Sequence, residues 1–136
     1  MDAMAVGNRL VELCKAGENK KAIEELYADS VDVREAMEMP NPEEFGMYPN
    51  GVQTKEQLLK SADAFFEMHE IHGGDVDGPY PHGDDFIVFM SLDTTPKVGP
   101  MAGQRMQMKE ACHYGVKNGK IVSSHFYYGM PGGDCG

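Results

Sequence analysis

Glu110-Ala-Cys-His-Tyr-Gly-Val-Lys-Asn-Gly-Lys-Ile-Val-Ser-Ser-His-Phe-Tyr-Tyr128 is the stretch whose reading decides the fold. Two apolar-alternating runs flank Lys117-Asn-Gly-Lys120, and Asn and Gly tolerate the positive φ that a tight reversal requires, so a β-hairpin is predicted. Working upstream, the chain alternates in the same way from Phe86, which makes three long strand candidates between Phe86 and Tyr128. The N-terminal half is instead helical in period. Helices first and a meander of antiparallel strands after predict an α+β fold, with a curved sheet wrapped around the helices and enclosing one pocket.

The face that each strand turns to that pocket depends on the hairpin turn. A two-residue Asn118-Gly119 turn pairs Val116 with Ile121; a three-residue loop with Gly119 in a bulge pairs Val116 with Lys120 and flips one strand against the other. Met106, Met108, Cys112, Tyr114 and Val116 form the more apolar set on the first strand, and Val122, Ser124, Phe126 and Tyr128 on the second. Matching the two sets selects the bulged loop. On that register Met108, Cys112, Tyr114, Phe126 and Tyr128 face inward as candidate ligand contacts, with Tyr114 and Tyr128 either offering phenol donors or serving as core or rim aromatics with satisfied hydroxyls.

In the N-terminal half, Val6, Leu10, Leu13 and Cys14 predict a helix over 3–15, broken by Gly17. Ala22, Ile23, Leu26 and Tyr27 predict a second, short helix ended by Asp29-Ser30, and Val31 to Met39 then alternates as a strand. Residues 40–53, with three prolines and two glycines, predict a loop or irregular hairpin. Thr54-Lys-Glu-Gln57 is a capping box that opens a third helix. Its buried face carries Leu58, Leu59, Ala62, Phe65, Phe66 and His69, which adds Phe66 to the candidate ligand contacts. Strands are predicted at about 70–80, 85–95, 104–116 and 120–128. The domain is expected to span residues 1–128, with 129–136 a flexible tail.

Composition narrows the function classes. With 136 residues the chain suffices for one domain with a real core. A formal charge of −10 argues against nucleic acid and against an anionic membrane surface. No run approaches the ~18 apolar residues that a membrane span needs, and no basic-then-apolar leader opens the chain. Three scattered cysteines, Cys14, Cys112 and Cys135, suit a reduced, cytoplasmic protein without a disulfide framework or zinc site. No dinucleotide or P-loop motif is present, so no cofactor is expected.

Two carboxylates interrupt apolar stripes. Glu110 lies between Met108 and Cys112 on the inward face, and Glu35 shares a face with Val31, Val33 and Met37. Ionised and unpaired, such groups cost several kcal/mol, so either the pKa rises or a partner such as Arg34, Arg105 or Lys109 is near. A carboxylic acid tuned toward neutrality is what proton transfer needs. Met37, Met39, Met90, Met106 and Met108 offer a soft lining for an apolar or aromatic ligand, or simply core. His69 and His72 flank the end of the third helix; His69 suits a C-terminal cap, and with no third ligand in sight no metal site is expected. His113 and His125 fall at odd-face or edge positions and are expected to be exposed.

Leu26-Tyr-Ala-Asp-Ser30, Thr54-Lys-Glu-Gln-Leu58, Phe86–Asp93, Asn118-Gly-Lys-Ile-Val122 and Phe126-Tyr-Tyr128 together resemble the nuclear transport factor 2-like superfamily over about residues 3–128. Its members include steroid delta-isomerase and the SnoaL-like polyketide cyclases. His69-Glu-Ile-His72, Gly78-Pro79, Asp93-Thr-Thr95 and Glu110 resemble one SnoaL-like subgroup without assigned chemistry. The resemblance implies a cone-shaped α+β barrel, three N-terminal helices packed in a strongly curved mixed or antiparallel sheet, and a homodimer through the outer sheet face.

In steroid delta-isomerase the general base lies eight residues beyond the Tyr of Tyr-Ala-Asp, which is Glu35 here. The isomerase's oxyanion-hole tyrosine falls near Leu10 and its protonated acid near Cys112, so steroid isomerisation is not expected. The resemblance also turns His72 inward. The implied function is cofactor-independent acid–base catalysis (isomerisation, cyclisation or hydration) on a small apolar or aromatic carbonyl compound. Glu35 would be the base and Glu110, protonated or paired with His72, the oxyanion donor. The alternative is a non-catalytic ligand-binding or protein-interaction module of the same fold.

Overall fold

The computed structural model describes residues 1–37 and 41–129. Two helices, α1 (Ala3–Lys15) and α2 (Asn19–Leu26), lead into strand β1 (Tyr27–Arg34). A 3-10 turn at Pro42–Phe45, strand β2 (Gly51–Thr54) and helix α3 (Lys55–Met68) follow. The remainder is β3 (His69–His82), β4 (Asp85–Pro96), β5 (Met106–Lys117) and β6 (Lys120–Tyr127).

Local chemistry accounts for the helix starts. Asp2 caps α1 by accepting from the Ala5 amide at 2.8 Å. At α3 the capping box is complete: Thr54 Oγ1 accepts from the Gln57 amide at 3.1 Å, and Gln57 Oε1 accepts from the Thr54 amide at 2.9 Å. Gly7 sits in mid-helix, where glycine costs ~1 kcal/mol relative to alanine. A Cβ there would stand 2.7 Å from Cβ of Pro79 on β3, so glycine is what lets α1 lie against the sheet.

The six strands form one mixed sheet in the order β2-β1-β6-β5-β4-β3, antiparallel throughout except for β1 beside β6. This is the expected α+β architecture, and the sheet is not closed. Its inner face packs Phe86, Val88, Cys112, Tyr114 and Ile121 against Val6, Leu10, Leu13 and Leu26.

Several local expectations are corrected. Asp29 and Ser30 belong to β1 rather than ending α2, and β1 stops at Arg34. Met39 and the tail from 130, with Cys135, lie outside the described residues. Of the two alternatives for 40–53, the irregular hairpin holds: the segment contains β2, paired antiparallel with β1 from Ser30↔Thr54 to Val33↔Gly51. On α3 Leu58 is the one buried residue, and Ala62, Phe65, Phe66 and His69 of the expected face line a cavity, whereas Leu59 does not.

The hairpin turn is the two-residue form, not the bulged loop. Lys117 pairs with Lys120 and Val116 with Ile121, with φ of 52° at Asn118 and 75° at Gly119. The bulge lies one step further on: the register shifts between Val116↔Ile121 and Gly115↔Ser123, leaving Val122 as the extra residue. Beyond it Tyr114 pairs with Ser124 and Cys112 with Phe126, so the apolar faces do match. The bulge also turns Ile121 into the core, fully buried, where Val122 was expected.

Candidate functional site

Between α3, the segment 42–50 and the inner face of the sheet lies a cavity of about 970 Å³. Most of its wall is apolar or aromatic, supplied by α3 (Phe65, Phe66) and the sheet (Met90, Met108, Phe126). Lys15 is the one lysine or arginine among the described lining residues.

Glu35 and Glu110 both face this cavity. Glu35 leaves the end of β1, and Tyr128, just past the end of parallel β6, donates its hydroxyl to Glu35 Oε2 at 3.0 Å. Glu35 is accessible to solvent because the cavity is wide enough to hold water, yet protein encloses most of the carboxylate. That enclosure raises its pKa, and the Tyr128 hydrogen bond offsets part of the rise.

Glu110 is deeper, on β5 opposite Met90. Its pKa is pushed up to about 7, first by burial and then by the negative charge of Glu35, while the Cys112 thiol pulls weakly the other way across 3.6 Å. The two carboxyls therefore titrate as an interacting pair. The Tyr128 phenol is raised in turn by burial and by both acids, so it stays protonated as a donor.

Of the sequence candidates, Met108, Phe126, Tyr128 and Phe66 line the cavity with the two glutamates. Three do not. His72 is exposed on the outer face, with Nε2 2.8 Å from Thr95 Oγ1 and Asp93 nearby. The ladder slips between Ile71 and Gly73, so His72 is the residue squeezed outward. Cys112 is fully buried beneath Glu110, and Tyr114, at 2% exposure, is core packed edge-on to Tyr27 and stacked on Phe86. His69 closes α3 as expected: Nδ1 donates to the Phe65 carbonyl at 2.8 Å and the ring stacks on Phe65.

Two side chains were missed. Asn50 accepts from the Glu35 amide at 2.8 Å and donates to the Glu35 carbonyl at 3.1 Å. Gln53, buried on β2, donates to the Pro49 carbonyl at 3.2 Å. The only sequence signal for either is Pro49-Asn-Gly51, which becomes informative once β2 is known to pair with β1.

The outer face is built differently. Asp32 accepts from His125 Nε2 at 3.0 Å and from Arg34, and His113 Nε2 meets Asp85 Oδ2 at 2.8 Å. The two imidazoles lie edge to face, 6.1 Å apart, and Tyr127 stacks on His113. Among the described residues no group of three or more His, Cys, Asp or Glu is placed to hold a metal ion, and no helix is long and apolar enough to cross a membrane.

The fold is shared with NTF2-like proteins. One from Burkholderia thailandensis is 14% identical over 95% of this chain and 92% of its own, with a TM-score of 0.72. A protein with a ketosteroid isomerase-like fold from Catenulispora acidiphila, solved in complex with trimethylamine, is 17% identical over 90% of this chain and 84% of its own, at 0.62. A candidate SnoaL-like polyketide cyclase from Mesorhizobium loti is 39% identical over 94% of this chain and 100% of its own, with a TM-score of 0.81. No curated protein matches the chain. The family description "SnoaL-like domain" matches residues 1–128, and the chain belongs to that family.

Proposed function

We propose that this protein is a cofactor-independent acid–base catalyst that binds an apolar or aromatic carbonyl compound in the cavity. The observation that carries this reading is the pair Glu35–Glu110, two carboxyls raised by enclosure at one apolar cavity. The volume suits a ligand of more than one ring. The isomerase and cyclase types share the first step, whereas in a hydratase Glu35 would take the proton of a water adding to the carbon–carbon double bond conjugated with the carbonyl. Glu35, ionised first, removes a proton from the carbon beside the carbonyl, and its electron pair moves onto oxygen. Glu110, still protonated, donates a hydrogen bond to that oxygen. Glu35 then returns the proton to a different carbon of the conjugated enolate in an isomerase; in a cyclase the enolate carbon attacks a second carbonyl carbon, and the alkoxide so formed takes the proton from Glu35. Phe66, Met108, Phe126 and the Tyr128 ring form the apolar seat.

Two further parts of the proposal concern the setting. Tyr80, Phe89 and Tyr127 are exposed on the outer sheet face beside a shallow groove of about 400 Å³, which suits a homodimer through that face. Cys14 and Cys112 are free thiols, as a cytoplasmic protein would keep them.

The test is a screen of multi-ring ketones and β-dicarbonyl compounds for proton exchange or turnover. Glu35→Gln should cut kcat roughly 10²–10⁴-fold and Glu110→Gln comparably. The pH profile of kcat/KM should be bell-shaped, rising as Glu35 loses its proton and falling through about pH 7 as Glu110 loses its own. Turnover unchanged in both variants would overturn the reading in favour of binding without chemistry.

A further inference from the structure

We propose that Asn50 is the positioning residue of Glu35, its carboxamide standing in for a peptide group that Pro49 cannot supply. The inference rests on the reading of Glu35 as the base. The β1–β2 ladder runs antiparallel from Ser30↔Thr54 to Val33↔Gly51. Continued in step, it would set Asn50 opposite Arg34 and Pro49 opposite Glu35. Proline has no N–H, so the ladder cannot close on the Glu35 carbonyl.

Gly51, at φ 135°, turns the chain out of the strand. The Asn50 side chain then reaches back and makes both bonds, accepting from the Glu35 N–H and donating to the Glu35 C=O. A primary carboxamide has the same donor and acceptor as a peptide unit, so the main chain of Glu35 is held as if β1 were one residue longer. Gln53 takes up the Pro49 carbonyl that the ladder leaves over.

The consequence is functional. Residues Met47, Tyr48 and Pro49 wall the cavity, and Asn50 ties that wall to the base. Glu35 leaves its clamped backbone towards Tyr128, so its carboxylate is fixed at both ends, by Asn50 through the main chain and by Tyr128 through Oε2. Without the clamp Glu35 would belong to an unpaired segment leading into residues 36 and 37, and the carboxylate would sample more solvent.

The experiment combines amide hydrogen exchange with carboxyl NMR titration on the full chain, neither of which needs a substrate. In the parent protein the Glu35 amide should exchange at the slow rates of β1, although the strand ends at Arg34; a loop-like rate would overturn the proposal. In Asn50→Ala the Glu35 amide should exchange roughly tenfold faster or more. Glu35 should also titrate closer to the ordinary ~4.3, while Glu110 stays raised by its own burial. Adding Pro49→Ala to that variant supplies the missing N–H and should restore the Glu35 titration in part; a purely space-filling role for Asn50 predicts no such rescue. A folded Asn50→Ala protein with both readouts unchanged would also overturn the assignment. Failure of Glu35→Gln to affect turnover would instead sink the catalytic reading and leave the clamp standing.

Discussion

The two faces of this sheet treat the same functional group in opposite ways. On the outer face Asp32 carries His125 and Arg34, and Asp93 carries Arg105 in a two-pronged pair at 2.9 and 2.7 Å. Both carboxyls are held below the usual aspartate range. On the inner face Glu35 and Glu110 have a phenol, a thiol and each other, and both are pushed up. A protein that pairs acids on its outside and leaves two unpaired inside carries a stability cost where a ligand can reach. That asymmetry locates the candidate chemistry.

The largest expected effect comes from removing the inner charge. The folded pKa of Glu110, about 7, lies above its ordinary value of 4.5, so the folded state holds the proton longer than the unfolded one. The resulting penalty is absent below pH 4.5, grows as pH rises, and is complete above about 7, where it is on the order of 3 kcal/mol. Glu110→Gln should therefore match the parent at pH 4 and exceed it by a few kcal/mol at pH 8 in denaturant unfolding. Equal stabilities at both pH values would break the comparison.

The next effect concerns how the inner face is assembled. Gly7→Ala improves helix propensity yet drives a Cβ into the rigid Pro79 ring, with Phe86 only 3.3 Å away. Overpacking of this kind costs about 1–3 kcal/mol. A thermal melt should show a lower midpoint; a rise would mean that α1 is not held against β3 as described.

The smallest effect should come from the outer face, with the opposite sign in pH. Asp32 is partly exposed, so solvent screens its pairs, and Asp32→Asn should cost about 0.5–1 kcal/mol at pH 6. Its depressed pKa means that the contribution is present above the unfolded value and lost as pH falls through the folded one. Parent and variant should converge in acid here too, but at higher pH the parent is the more stable of this pair, whereas Glu110→Gln exceeds its parent. Added salt should shrink the Asp32 difference and leave the Glu110 difference nearly intact.

Much of the inner face was legible in the sequence because periodicity reports faces directly. Val31, Val33 and Glu35 on one stripe, and Met108, Glu110 and Cys112 on another, need only the pleat of a strand to be placed. Periodicity does not report irregularities. The bulges at His72 and Val122 are single-residue slips set by tertiary packing, so the resemblance turns His72 the wrong way, and matching apolar sets selects the wrong hairpin turn although its faces are right. Depth is equally invisible: Tyr114 and Cys112 share the stripe of Met108 but lie behind α1 and α2 rather than over the cavity. The outer Asp–His pairs and the Asn50 clamp join residues 15 to 93 positions apart, and only the strand order brings them together.

The central claim is tested most directly by one carboxyl NMR titration that follows Glu35, Glu110 and Asp32 in the same sample, with Glu35→Gln, Glu110→Gln and Asp32→Asn to assign the signals. The account predicts Glu110 near 7, Glu35 above its ordinary value, and Asp32 below 3.8, with the Glu110 midpoint falling when Glu35 is neutralised. Both glutamates titrating together near ~4.3, with no response of Glu110 to Glu35→Gln, would contradict it.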